Sequence, residues 1–94
     1  MTKRIFALLA ATVPMVTACA LPPQGVTPEQ IRFYEAAVAS IGCKIVHEKD
    51  SLPIELQAGL TAQQVLDITS YELAAKRAIQ LPDGGVQLTT GACA

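Results

Sequence analysis

The side chains most able to do chemistry in this chain are its three cysteines and its single histidine. Cys43 and His47 form a C-x-x-x-H spacing, which supplies at most half of a four-coordinate zinc site. They could also act as a nucleophile and its base, but a cysteine held in a disulfide is no nucleophile. The C-x-x-C spacing of redox-active thiols is missing from the sequence. We therefore predict no catalytic residue, no metal ligand and no cofactor, and interpret His47 as a solvated surface side chain.

Two further polar groupings are interpreted as turns. Glu48, Asp50 and Glu55 lie near one loop, but their spacing is not that of a calcium-binding loop. Asp83-Gly84-Gly85 has no strand–loop–helix unit around it that would make it a phosphate-binding loop. Neither grouping therefore predicts a ligand site.

The N-terminus has the pattern of an export signal. Lys3 and Arg4 precede an apolar stretch at residues 5–13, which has the length of a signal-peptide core and is too short to span a bilayer. Residues 16–19 (Val-Thr-Ala-Cys) resemble the lipobox of bacterial lipoproteins. This resemblance implies a signal peptide at 1–18, with Cys19 as the lipidated new N-terminus. A tether at 19–26 and a folded domain at 27–94 would follow.

A second cleavage site competes with the lipobox. Residues 18–20 (Ala-Cys-Ala) form an A-x-A-like signal-peptidase site that would release a soluble periplasmic protein beginning at Leu21. We favour the lipoprotein, because the cysteine directly follows the apolar region and a small residue. Ala20 stands where an Asp would favour the inner membrane, so the resemblance implies anchoring on the periplasmic side of the outer membrane.

The two remaining cysteines are predicted to pair. Once Cys19 is lipidated or removed, Cys43 and Cys93 are left in an oxidising compartment. A Cys43–Cys93 disulfide is the simplest outcome.

The charge of the part after the signal peptide excludes polyanionic partners. That part carries five basic and eight acidic residues, a net charge of −3. A basic footprint for nucleic acid is therefore lacking, as is a polybasic stretch for anionic lipid headgroups.

Capping patterns place the helices. Thr27, Pro28 and Gln30 predict a helix start, and Gly42 predicts its left-handed stop. Its buried face is predicted to contain Ile31, Tyr34, Val38 and Ile41. The same cap recurs at residues 60–65 and begins a helix that runs through Val65, Leu66, Ile68 and Leu73. We expect that helix to run to about Arg77, where Lys76 and Arg77 complement its negative end.

Shorter elements complete the chain. Residues 43–46 predict a short strand, 51–58 a brief helix that ends at Gly59, and 79–89 a β-hairpin with a turn at 82–85. The fold class is thus α+β, with three short helices, a C-terminal β-hairpin and a short third strand.

The order of these elements resembles a winged-helix domain over residues 27–90. The resemblance implies that the short strand pairs antiparallel with the second arm of the hairpin, which would bring Cys43 close to Cys93. It also implies DNA binding, but Asp67 and Glu72 on the third helix and Asp83 in the wing oppose that function.

Two segments resemble small exported proteins and lipoproteins of alphaproteobacteria. They are Phe33-Tyr34-Glu35-Ala36 with Gly42-Cys43, and the run from Asp83 to Cys93. Some such proteins carry the label of a respiratory NADH dehydrogenase subunit. The nucleotide, flavin and iron–sulfur motifs needed for that label are missing from this sequence.

The sequence favours a non-enzymatic envelope lipoprotein that acts as a small interaction or structural module. Its partners would be the membrane, through the lipid, and an envelope protein of unknown identity. The alternative is a soluble periplasmic binding or inhibitor module released by cleavage after Ala20. A cytosolic winged-helix regulator would require the leader to be retained. Nothing in the sequence predicts the oligomeric state.

Overall fold

Capping residues set the helix starts in the computed structural model, which describes residues 21–94. Helix α1 (Pro28–Ser40) begins at Thr27, whose hydroxyl accepts from the Gln30 N–H at 3.1 Å. Helix α3 (Ala62–Ala74) begins in the same way at Thr61, with Gln64 completing the capping box. Between them, α2 (Ser51–Ala58) ends at Gly59, with φ +66°. The three predicted helices are confirmed.

The end of α3 differs from the prediction. The helix stops at Ala74, and Lys76 takes a left-handed conformation with φ +61°. The Lys76 N–H donates to the Leu73 carbonyl at 3.1 Å, and the Arg77 N–H donates to the Glu72 carbonyl at 2.8 Å. These two bonds close the helix as a Schellman motif. The expected extension to Arg77 is therefore wrong, because the chain has already left the helix axis at Lys76.

The sheet contains three short antiparallel strands in the order β1-β3-β2. They are β1 (Lys44–Ile45), β2 (Ala78–Gln80) and β3 (Val86–Leu88). Ile45 and Gln80 both lie opposite Val86, one on each side of the central strand. The α+β class and the predicted pairing of the short strand with the second hairpin arm are confirmed. The likeness to winged-helix proteins stays a prediction.

A close approach at the hairpin turn explains its second glycine. Gly85 is buried, and a Cβ at this position would lie 3.0 Å from the Ile45 carbonyl oxygen. Any larger residue would push β1 away from the hairpin.

The core lies between the three helices and one face of the sheet. Its buried members are apolar except for the Tyr34 hydroxyl: Ile31, Tyr34, Ala37, Val38, Ile54, Ala58, Leu60, Val65, Ile68, Ala78 and Leu88. Ile41 and Leu73 pack at its edge and are half-buried. Leu66 on α3 is 62% exposed, and Phe33 on α1 is also exposed.

The N-terminal segment of the described residues turns against the domain. Val26 packs on the core, and its N–H donates to the Pro23 carbonyl at 3.3 Å. The predicted signal peptide and Cys19 lie outside the described residues. Within residues 21–94, no helix has the length and apolar character needed to cross a membrane.

Candidate functional site

The predicted cysteine pair is joined. Cys43 and Cys93 form a disulfide with their Cα atoms 5.6 Å apart, across a sequence separation of 50 residues. Cys43 directly precedes β1 and has φ +68°. Cys93 ends a short 3₁₀ turn (Gly91–Cys93) that packs against α1. The bond therefore attaches the C-terminus of the domain to the end of α1.

His47 is exposed, as predicted, and lies in a loop organised by Asp50. Asp50 Oδ2 accepts from the backbone N–H groups of His47 at 2.9 Å and Val46 at 3.0 Å. These two bonds, that from His47 first, lower the pKa of the Asp50 carboxyl. Its charge thus serves to close the turn. Residues 21–94 contain no group of three or more side chains arranged to hold a metal ion.

An apolar cleft of about 360 Å³ opens between α3 and the sheet. Two of its apolar wall residues face solvent, Leu66 at 62% and Val46 at 37% exposure. The remaining walls come from α3, the start of α2, the strands, the His47 loop and the hairpin turn: Ile45, His47, Glu48, Ser51, Ala62, Val65, Thr69, Gly84 and Val86.

Two leucines of α2 are also exposed. Leu52 and Leu56 lie one helical turn apart and are 57% and 83% exposed. Residues four apart lie on the same helix face, so the two leucines form one apolar strip. Leu66 and Val46 at the cleft are further exposed aliphatic side chains.

A charged cluster joins α1, α3 and the segment before β2. The Arg77 Nε–H donates to Glu72 Oε1 at 2.9 Å, and the Nη2–H donates to Glu35 Oε2 at 2.5 Å. Glu72 is fully buried, and its side-chain Oε2 has no hydrogen-bond partner among the described residues. One guanidinium thus lies between two carboxyl groups.

The environment of Glu72 perturbs its titration. Burial, then hydrogen bonding and charge repulsion from Glu35, raise the pKa of the Glu72 carboxyl to about 7, against the lowering effect of Arg77.

Nearby, burial raises the pKa of Tyr34 to about 12, and its hydroxyl lies 2.6 Å from Thr69 Oγ1. Thr69 donates its own hydroxyl to the Val65 carbonyl at 2.7 Å. Tyr34 is therefore the donor in its bond with Thr69.

This cluster was not predicted from the sequence, where Glu72 figured only as an acid that opposes DNA binding and Arg77 only as a charge that complements the helix end. A signal was present, because Glu72 follows the buried Val65 and Ile68 at the 3–4 spacing of one helix face. That spacing places Glu72 in the core.

Comparison of the chain with protein-family models, curated proteins and solved structures gave no match. The site must therefore be interpreted from its own geometry.

Proposed function

We propose that this protein is a non-enzymatic envelope lipoprotein that acts as a small interaction module. The observation that carries the proposal is the apolar cleft, whose wall residues Leu66 and Val46 are exposed. Solvent-facing apolar groups that line a concave surface are typical of protein contact sites. The leader, with its lipobox-like sequence ending at Cys19, supports the envelope location.

The polar groups around the cleft favour binding over catalysis. The Ser51 hydroxyl is engaged by the Glu48 carbonyl and the Glu55 carboxylate, each at 3.0 Å. The Thr69 hydroxyl is held by the Val65 carbonyl. In a catalytic arrangement the base beside the hydroxyl is itself oriented by a third group, and among the described residues Glu55 has no side-chain partner other than Ser51. Cys43 is withdrawn from such a role by its disulfide.

The membrane attachment is tested by the intact mass of the mature protein from its own host. A chain that begins at Cys19 with added acyl mass is expected. A chain that begins at Leu21 without lipid would replace this assignment with the soluble periplasmic module. A retained Met1 on a cytosolic protein would contradict export altogether.

The interaction surface is tested by site-specific photo-crosslinking in the native envelope. A photoreactive residue at Leu66 should give a discrete product, and Val46→Asp in the same chain should abolish it. The control is the same probe at Glu29, an exposed residue at the start of α1. Equal products from both positions, or a Leu66 product insensitive to Val46→Asp, would show that the cleft is not the contact site.

A further inference from the structure

The buried cluster of Glu35, Glu72 and Arg77 does not balance its charges if every group is ionised. Two carboxylates would face one guanidinium, which leaves one negative charge in excess. Glu72 has no solvent exposure, and the Glu35 side chain is only 14% exposed. An uncompensated charge at such a place is costly, so proteins usually neutralise it by protonation.

The unpartnered oxygen of Glu72 indicates where a proton would lie. Oε1 of Glu72 accepts from Arg77, whereas Oε2 is buried and has no donor or acceptor assigned to it. The Glu35 and Glu72 carboxyl groups bond to the same guanidinium of Arg77, which brings them side by side. Two ionised carboxylates cannot hydrogen-bond with each other. A carboxylic acid at Glu72 could donate its O–H to Glu35 and would thereby satisfy the orphan atom.

We propose that Glu35 and Glu72 share one proton, and that this proton is a pH-sensitive lock that joins α1 to α3 and to the start of β2. In the protonated state, Arg77 binds both carboxyl groups and the two carboxyl groups bind each other. Loss of the proton leaves two adjacent negative charges that repel across the contact between the helices.

The other charged groups around the pair leave this balance unchanged in the physiological range. Tyr34, which faces the pair from α1, stays neutral because burial raises its pKa to about 12. Arg77 stays positive, since its bonds to the carboxylates raise its pKa further. Arg32 lies with Glu35 and Arg77 along a neighbouring cleft, but it is exposed, and among the described residues it forms no ion pair with either carboxyl group.

That cleft is lined by two members of the cluster, Glu35 and Arg77. It measures about 240 Å³ and runs beneath the N-terminal segment, with Pro22, Ile31 and Tyr71 among its walls. The Arg77 side chain is 40% exposed there. The lock therefore lies under the segment that connects the domain to its proposed anchor, although the proposal itself does not depend on lipidation.

The direction of the pH effect follows from the raised pKa. The folded state holds a proton that the unfolded state releases near pH 4.5, the ordinary value for Glu. This contribution to stability is complete below about pH 4.5 and is lost as pH rises through about 7. A difference of one bound proton changes the unfolding equilibrium constant up to about tenfold per pH unit.

The test is urea unfolding of the purified protein from pH 4.5 to 8.5, with wild type, Glu72→Gln and the control Glu29→Gln. Glutamine mimics the protonated acid, since its amide can accept from Arg77 and donate to Glu35. We expect wild type and Glu29→Gln to become less stable between pH 5 and 8, and Glu72→Gln to lose most of that slope. A slope that is unchanged in Glu72→Gln would overturn the proposal.

A second measurement decides the question without any variant. Carbon-13 NMR of the side-chain carboxyl carbons should show Glu72 titrating near pH 7, with a chemical-shift change at the Glu35 carboxyl carbon over the same range. A Glu72 titration at the ordinary value of about 4.5, or no response of the Glu35 carbon to it, would show that no proton is shared. This measurement also covers the case in which Glu72→Gln fails to fold.

Discussion

The disulfide should supply much of the stability of this domain. Its loop spans a sequence separation of 50 residues. In the chain-entropy treatment, closing such a loop lowers the conformational entropy of the unfolded chain and thereby stabilises the folded state by about 4 kcal/mol at 25 °C. A core of this size gives only about 3–5 kcal/mol in total. The disulfide adds to this contribution, so reduction should remove about half of the free energy of unfolding.

Reduction of the wild-type protein is the cleanest perturbation. Cys43 has φ +68°, and Cys93 packs against the core, so substitution of either residue would change more than the bond. Urea unfolding, followed by circular dichroism with and without a phosphine reductant, gives the free energy of unfolding of both forms. For a domain of this size, a loss of 4 kcal/mol corresponds to a fall in Tm of about 15–30 °C.

Two controls accompany this measurement. Intact mass must show the gain of two hydrogens that full reduction produces. The double variant of Cys43→Ala and Cys93→Ala should be insensitive to the reductant. A fully reduced wild-type protein that loses less than about 1 kcal/mol would refute the reasoning, since the constraint on the unfolded chain would then be much weaker than its length implies.

Three further substitutions test single features by thermal unfolding. Gly85→Ala should lower the free energy of unfolding by about 1–3 kcal/mol, because its Cβ would lie 3.0 Å from the Ile45 carbonyl oxygen. An unchanged Tm would show that β1 can move away from the new Cβ at no cost. Tyr34→Phe should lose about 1 kcal/mol, since it removes only the hydrogen bond donated to Thr69; no loss would mean that this bond contributes nothing. Lys76→Gly should leave the free energy of unfolding unchanged or raise it by up to about 1 kcal/mol, because glycine adopts the φ of +61° at this position without steric cost. A clear loss of stability would contradict a left-handed helix cap.

Local signals made the helix starts predictable. The caps at Thr27 and Thr61 depend on residues within three positions of one another, so their geometry can be read without knowledge of the fold. The end of α1 was equally predictable, since Gly42 supplies the left-handed residue of its closing motif. The end of α3 was not predictable, because a lysine at position 76 gives no sign of a left-handed conformation.

The charged cluster was missed for a different reason. Glu72 was classified by residue type, and acidic side chains are almost never fully buried unless they are paired. The partners that permit its burial, Glu35 and Arg77, come from other segments, and Glu35 lies 42 residues before Arg77. Helical spacing could have placed Glu72 inside, but only the fold shows which charges meet it there.

The disulfide and the charged cluster support the same helix and cannot be independent. The bond at Cys43 holds the C-terminal 3₁₀ turn against α1. Within that turn, a Cβ at Gly91 would lie 3.8 Å from Glu35 Oε1, so the turn shields the outer side of the Glu35 carboxyl. Neighbouring contacts of this kind are generally not additive. Reduction should therefore admit water to Glu35, weaken the repulsion that favours a shared proton, and reduce the pH dependence of stability along with the stability itself.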